Sequence, residues 1–236
     1  KIFYYPKGSL YYLLMNLRGI LNKQQYTKHN IHLNKEYLNN IQQNFYFFTD
    51  DQHIMNQWAN NNHIETTANK IIKQPNILWH QDDISGYIWP LSFYLNIRNN
   101  LYKDYNKNIS IKNVWNKSRF YEAPILALAY YNTGNAIYLT YFENLFLDWN
   151  KNNPWGYGPN WAITLEVALR ACNLTLSFKI FEQAHTKYNS VFDPKFQNIF
   201  MNSILQHGKF IEQNLELFPV KTNHFLSNVL GLLYIG

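Results

Sequence analysis

The stretch NNPWGYGPNWAITLEVALRACNLTLSF, residues 152–178, joins a turn to a helix. Its first half holds the residues that interrupt regular structure, namely Asn152, Asn153, Pro154, Gly156, Gly158 and Pro159. In its second half, apolar residues recur three or four positions apart, which predicts a helix from Trp161 to about Phe181. Asn160 stands where this helix opens, and Glu166 and Arg170 lie one turn apart on it.

Most of the chain shows the same helical spacing. Pro90 suits a first helical turn, and Gly134-Asn135 suits the end of a helix. The stretch 44–48, NFYFF, could form a strand, but no hairpin signal pairs it. Short polar turns between consecutive helices indicate antiparallel hairpins and an all-α protein. Besides the helix above, we predict helices over residues 9–24, 90–105, 119–135, 136–153 and 194–216, and a last one from about 222.

The composition predicts a folded protein, because 47% of the 236 residues are hydrophobic and 18% are aromatic. Residues 1–76 are less regular, so we interpret them as a lead-in segment, mostly helical, to a domain over residues 77–236. The formal net charge of +6 fits either an anionic partner or a merely basic surface. Nucleic acid is the least expected anion, since no basic helix, zinc-finger pattern or RNA-binding motif is present.

Several classes of site are excluded or disfavoured by the sequence. Cys172 is the only cysteine, so no disulfide can form within the chain. The histidines lack a convincing metal-ligand spacing with acidic residues, and we expect no metal or other cofactor to be required in this segment. No apolar run is long enough to span a bilayer.

Four groups of residues, taken in chain order, resemble the pattern of a known family. They are Trp79, Asp82 or Asp83, Gly86 and Trp89-Pro90; Lys112, Trp115 and Arg119; Asn153-Pro154, Gly158, Asn160-Trp161, Glu166-Val167-Ala168 and Arg170; and Asn223-His224. From about Ile77 to Gly236 the chain thus resembles the N-terminal helical domain of the heparinase II/III-like polysaccharide lyases. Asn116 departs from the pattern by replacing an acidic residue, and Thr222 departs by replacing an asparagine.

The resemblance implies an incomplete (α/α) toroid, a ring of helical hairpins with a substrate groove at one end. It implies that a β-sandwich domain and the catalytic tyrosine of the family follow beyond Gly236. It also implies an acidic polysaccharide as partner and a periplasmic or secreted location.

The resemblance places five residues in the groove as binders of substrate. A helix opening near Asn160 can face an anion, and Trp161 can stack on a sugar ring. Glu166, Arg170 and Arg119 are the other three. The structural alternatives stay open: Asn160 as a helix cap, and Glu166 paired with Arg170, or with Arg119 of a neighbouring helix, as a clamp between hairpins.

Asn223-His224 opens a helix after a turn, and by resemblance it is the catalytic pair. The resemblance implies cleavage of a uronate-containing polysaccharide by β-elimination, which removes the C5 proton beside a uronate carboxylate. The Asn223 amide can stabilise the charge that develops there, and His224 can share that role or act as base.

Two rival functions remain. A toroid that binds glycans without turning them over would use the same basic charge and Trp161. A glycoside hydrolase would need two carboxyl groups across the scissile bond, for which Asp82, Asp83, Asp148 and Glu166 are available without an evident pair.

Overall fold

The structure, a computed structural model, describes residues 55–57, 63–101, 109–217 and 222–236, and these form an all-α protein. Two isolated bridges, Gln81 with Ile88 and Phe93 with Tyr157, are the only strand-like pairings among them. The predicted helix over 9–24 and the possible strand over 44–48 lie outside this part of the chain. The described helices are α1 His63–Ile71, α2 Tyr94–Asn100, α3 Ile111–Ser118, α4 Ala123–Thr133, α5 Ala136–Asn152, α6 Thr164–Tyr188, α7 Pro194–Gln213 and α8 Asn223–Ile235.

Helix ends lie where the sequence provides capping residues. Gly134 ends α4 in the left-handed region at φ 67°, where glycine carries no steric penalty. The Asn135 side chain then caps α5 by accepting from the Ile137 N–H. Asp193 caps α7 in the same way, and Thr222 caps α8 by accepting from the His224 N–H. The predicted starts near Pro194 and Thr222 are confirmed.

Three predicted helix starts are wrong, each for a local reason. α2 begins at Tyr94 rather than Pro90, because the preceding backbone binds the 156–158 turn; Gly158 donates to the Ser92 carbonyl. α4 begins at Ala123 rather than Arg119, since Phe120 has φ 57°. α6 begins at Thr164 rather than Trp161, because Ile163 is extended and Pro159–Trp161 form a separate 3₁₀ turn.

Short turns make α4 and α5, and α6 and α7, antiparallel hairpins. At one end of the bundle, the Thr164 hydroxyl donates to the Asn214 carbonyl, which joins the start of α6 to the end of α7. The Trp161 indole donates to the Asn153 carbonyl at the end of α5. We call this the upper end: it holds the N termini of α4, α6 and α8 and the C termini of α5 and α7.

Aromatic rings fill the space between the hairpins. Phe178 stacks on Phe192 and on Phe200, with ring centroids 4.5 and 4.8 Å apart. α8 packs so closely on α6 that a Cβ added to Gly231 would lie 2.8 Å from the Ala168 Cβ. Among the helices described, none has the length and apolar character needed to cross a bilayer.

Candidate functional site at the upper end

Arg119 and Glu166 form a bidentate ion pair at the upper end. Arg119 Nε and Nη2 donate to the two Glu166 oxygens at 2.6 and 2.7 Å. This hydrogen bonding raises the pKa of Arg119 above its usual range. Arg119 also donates to the Tyr121 hydroxyl at 3.0 Å. Because the carboxylate is 4% exposed and the guanidinium 21%, only the Arg119 side of the pair reaches solvent.

Arg170 does not take Glu166 as its hydrogen-bond partner. Its Nε donates to His207 Nε2 at 2.8 Å, and its Nη2 donates to the Asn160 carbonyl. The guanidinium lies over the Trp149 ring, 4.4 Å from its centroid. Burial lowers the pKa of Arg170 to about 9, so the side chain stays protonated at neutral pH. Of the two pairings that the sequence left open for Glu166, the structure forms the one with Arg119.

His207 is a buried, neutral member of the same network. Its Nδ1 faces the Ser203 carbonyl at 2.7 Å, which can only accept, so Nδ1 carries the proton and Nε2 accepts from Arg170. Burial, together with the charge of Arg170, holds the pKa of His207 well below its usual value. This role could not be predicted from the sequence, because Arg170 and His207 lie 37 positions apart.

Asn160 and Trp161 lie inside the fold. Asn160 is 0% exposed, and its amide donates to the Asn153 side chain at 2.8 Å and to the Trp79 carbonyl. Trp161 is 1% exposed and packs against His207 with ring centroids 4.8 Å apart. Both side chains therefore have structural contacts here. Their binding of substrate stays a prediction, and it requires a conformation that exposes them.

Asn223 and His224 open α8 at the solvent-facing side of the upper end. Asn223 is exposed, and the His224 side chain is 43% exposed. His224 Nδ1 lies 3.0 Å from Glu216 Oε1. The second oxygen of Glu216 accepts from the Leu165 N–H at 2.8 Å and from Asn228 Nδ2 at 3.3 Å. Glu216 thus connects the first turn of α6, next to Glu166, to the catalytic pair predicted from sequence.

Asp82 and Asp83 hold neighbouring segments of the chain in place through their side chains. Asp82, one of the two candidates for the motif aspartate, is buried and accepts from the Ser85 hydroxyl, the Ser110 N–H and Asn113 Nδ2. Burial opposes its ionisation, yet these hydrogen bonds hold the pKa of Asp82 well below its usual range. Asp83 is exposed and pairs with Lys117 at 2.7 Å.

A cleft of about 650 Å³ lies apart from these residues, between the segment 74–81 and the outer side of α5. Its described lining is rich in amides and includes Asp148 as its one carboxylate, while Lys117 Nζ donates to the Leu78 and Gln81 carbonyls at its edge. Asp148 accepts from the Trp79 indole at 2.7 Å. No lysine or arginine belongs to the described lining, and Lys117 is already paired with Asp83, so the candidate site for an anionic polymer is the upper end. Among the residues described, no three His, Cys, Asp or Glu side chains are grouped to hold a metal.

Comparison with known proteins agrees with the motifs. The family described as the heparinase II/III N-terminus matches residues 13–236, which is most of the chain. The match begins well before Ile77, where the motifs begin. Neither the curated proteins nor the solved structures gave a match. The chain belongs to the heparinase II/III N-terminus family.

Four partners of the site were not predicted from the sequence, namely Glu216, Asn228, Asn214 and His207. Glu216 stands in a loop two residues after Asn214, and no spacing rule connects it to His224. The one available signal was the presence of an acidic residue shortly before an Asn-His helix start. Asn228, at the i+4 position from His224, lies on the same helix face and could have been inferred.

Proposed function

We propose that this chain is the helical toroid part of a polysaccharide lyase that cleaves a uronate-containing chain by β-elimination. Family membership supports a polysaccharide substrate. The observation that carries the proposal is the exposed Asn223-His224 pair at the upper end, with His224 hydrogen-bonded to Glu216. Arg119 is the nearby candidate for binding a substrate carboxylate, since its guanidinium reaches solvent.

The reaction requires a base, an anion stabiliser and an acid. A base takes the C5 proton, and the electrons of that bond form the C4–C5 double bond as the C4–O bond breaks. The leaving oxygen then takes a proton. Asn223 supplies a neutral N–H donor for the carboxylate as it gains charge, and His224 supplies an imidazole whose neutral form can accept a proton. No cofactor is part of this scheme.

The carboxylates disfavour the hydrolase alternative. Asp82 is buried, Asp83 pairs with Lys117, and Glu166 pairs with Arg119. Asp148 is bound by the Trp79 indole and by Asn152. A hydrolase needs two carboxyl groups facing one bond, and each of these four is occupied elsewhere.

A glycan-binding protein without turnover is the second candidate, supported by the departure at Asn116. We propose that either protein acts in the periplasm or after secretion.

The test is ultraviolet absorbance of the intact protein incubated with a panel of acidic polysaccharides. Elimination creates a conjugated double bond, whereas hydrolysis does not. We expect absorbance to rise with at least one polymer, and to be lost in Asn223→Ala and His224→Ala because each removes a group that acts in the transition state. Asn198→Ala and His63→Ala, at exposed positions on other helices, are the matched controls.

Each other result has a distinct meaning. New reducing ends without absorbance would move the assignment to a hydrolase. Binding without either product would establish the glycan-binding alternative. Near-normal turnover in both Asn223→Ala and His224→Ala would refute the catalytic pair even if the protein is a lyase.

A further inference from the structure

Glu216 is held in place by hydrogen bonds to two helices. Its Oε2 accepts from the Leu165 N–H on α6 and from Asn228 Nδ2 on α8, while its own N–H donates to Asn228 Oδ1 at 2.8 Å. The side chain is 11% exposed. Because two donors from two helices fix Oε2, and a third contact fixes the Glu216 backbone, Oε1 presents one defined acceptor position to His224.

This arrangement determines which nitrogen of neutral His224 carries the proton. An ionised carboxylate can only accept, so the nitrogen facing Oε1 at 3.0 Å must donate. That nitrogen is Nδ1, and Nε2 is then left with a lone pair. The His224 side chain is part-exposed, so Nε2 has no need of a partner within the fold.

We propose that Glu216 is a positioning residue that keeps His224 in the Nδ1–H tautomer, with Nε2 free to accept the proton of the substrate. This inference rests on the proposed function and deepens it, because it assigns His224 the role of base rather than of charge stabiliser alone. When Nε2 takes the C5 proton, the imidazolium keeps its Nδ1–H on Glu216. The carboxylate then lies beside the new positive charge and stabilises it.

Glu216→Gln gives a sharp test, because an amide has one acceptor and one donor end. Two donors, the Leu165 N–H and Asn228 Nδ2, face the Oε2 position, so the amide oxygen of Gln is drawn there. The amide NH₂ then faces His224 Nδ1, which must accept. We therefore expect the variant to invert the tautomer of His224 to Nε2–H. Nitrogen-15 NMR of labelled histidine, recorded over a range of pH to identify the neutral ring of His224, distinguishes the two forms.

The control is Glu212→Gln, which removes the same charge from an exposed position on the last turn of α7. We expect Nδ1–H in the wild type and in Glu212→Gln, and Nε2–H in Glu216→Gln. An Nε2–H wild type, or one tautomer shared by all three proteins, would overturn the proposal. A circular dichroism melt confirms that the variants are folded, and Glu216→Asp provides a second variant if Glu216→Gln is not.

Kinetics add a second, separate readout. We expect Glu216→Gln to lower kcat at least tenfold with KM nearly unchanged, because the base is lost while substrate contacts remain. A loss confined to KM would contradict a positioning role. If no acidic polysaccharide is cleaved by the wild type, the proposed function fails, yet the tautomer measurement still decides whether Glu216 orients His224.

Discussion

At the scale of single residues, burial decides which partner each charged side chain takes. Two arginines could pair with Glu166: Arg170, four residues further along the same helix, and Arg119, which precedes α4. Arg170 lies over Trp149 in the interior and donates to His207, so Arg119 supplies the hydrogen bonds. Glu166 and Arg170 still attract each other, and this attraction supports the charge on Arg170.

The two halves of the Arg119–Glu166 pair should therefore differ in their effect on stability. We expect Arg119→Met to lower the free energy of unfolding by about 2 kcal/mol, because it leaves a nearly buried carboxylate with only the field of Arg170. Glu166→Gln should cost about 1 kcal/mol, since it leaves an arginine that reaches solvent. Urea unfolding of both single variants and the double variant measures this.

The double variant Arg119→Met/Glu166→Gln is the control for the pair. We expect its loss to stay below the sum of the two single losses, because the buried charge has been removed with its partner. Equal single losses that add in the double variant would show that the pair contributes nothing beyond its separate side chains.

Residue types and spacing predicted some of these roles and not others. The sequence offered two possible partners for Glu166, namely Arg170 one turn along the same helix and Arg119 on a neighbouring one. It could not show that Trp161 faces His207, since the 3₁₀ turn at Pro159–Trp161 rotates this part of the chain before α6 begins. A helix predicted from Trp161 would have given its side chain a different direction.

At the scale of elements, α8 is positioned by a close contact with α6. A Cβ on Gly231 would lie 2.8 Å from the Ala168 Cβ and 3.0 Å from its Cα, and backbone cannot move aside as a flexible side chain can. Gly208 on α7 is a helical glycine with more room, because its nearest contact is the Ile235 side chain at 3.2 Å. The two glycines thus form a matched pair.

We expect Gly231→Ala to destabilise the protein by about 2 kcal/mol, since it forces α8 away from α6. It should also lower turnover, because Asn223 and His224 move with α8. Gly208→Ala should change stability by less than about 1 kcal/mol, as the helix propensity of alanine offsets the contact with Ile235. Thermal melts and the ultraviolet assay on both variants measure these effects. A Gly231→Ala protein as stable as Gly208→Ala would show that α6 and α8 can separate to accept the added methyl group without a loss of stability.

Helix identities were predictable because the apolar spacing is regular and capping residues mark the ends. The helix starts near Pro194 and Thr222 were predicted correctly. The start of α2 was not, because Pro90 is a helix-starting residue whose neighbours instead bind the 156–158 turn. That pairing joins segments that are more than sixty residues apart along the chain, and no local pattern encodes it.

At the scale of the whole molecule, buried neutral histidines make stability depend on pH. Burial lowers the pKa of His80, His185 and His207, the last most strongly. Each of these groups binds more protons when unfolded than when folded in weakly acidic solution. The stability that they contribute is complete above the ordinary histidine pKa of about 6.5 and is lost as pH falls below it. The stability that Asp82 contributes is present above the ordinary pKa of a carboxyl group and is lost only as the pH falls below that value.

We expect the free energy of unfolding to fall between about pH 6.5 and pH 5, and His207→Gln to reduce this slope by about 1.4 kcal/mol per pH unit. Gln keeps an acceptor for Arg170 but cannot be protonated. Urea titrations at several pH values measure the slope, with the exposed His63→Gln as control. An unchanged slope in His207→Gln would show that His207 is not the group that titrates on unfolding.

The bridging position of Glu216 has a consequence for the order in which the protein matures. Its carboxylate meets the start of α6, stands just after α7, and receives His224 from α8. Because α8 follows the other two helices in the sequence, the contact between Glu216 and His224 can form only after all three have been synthesised. The proposed role of His224 as base therefore depends on the docking of α8, the last of these helices to be made.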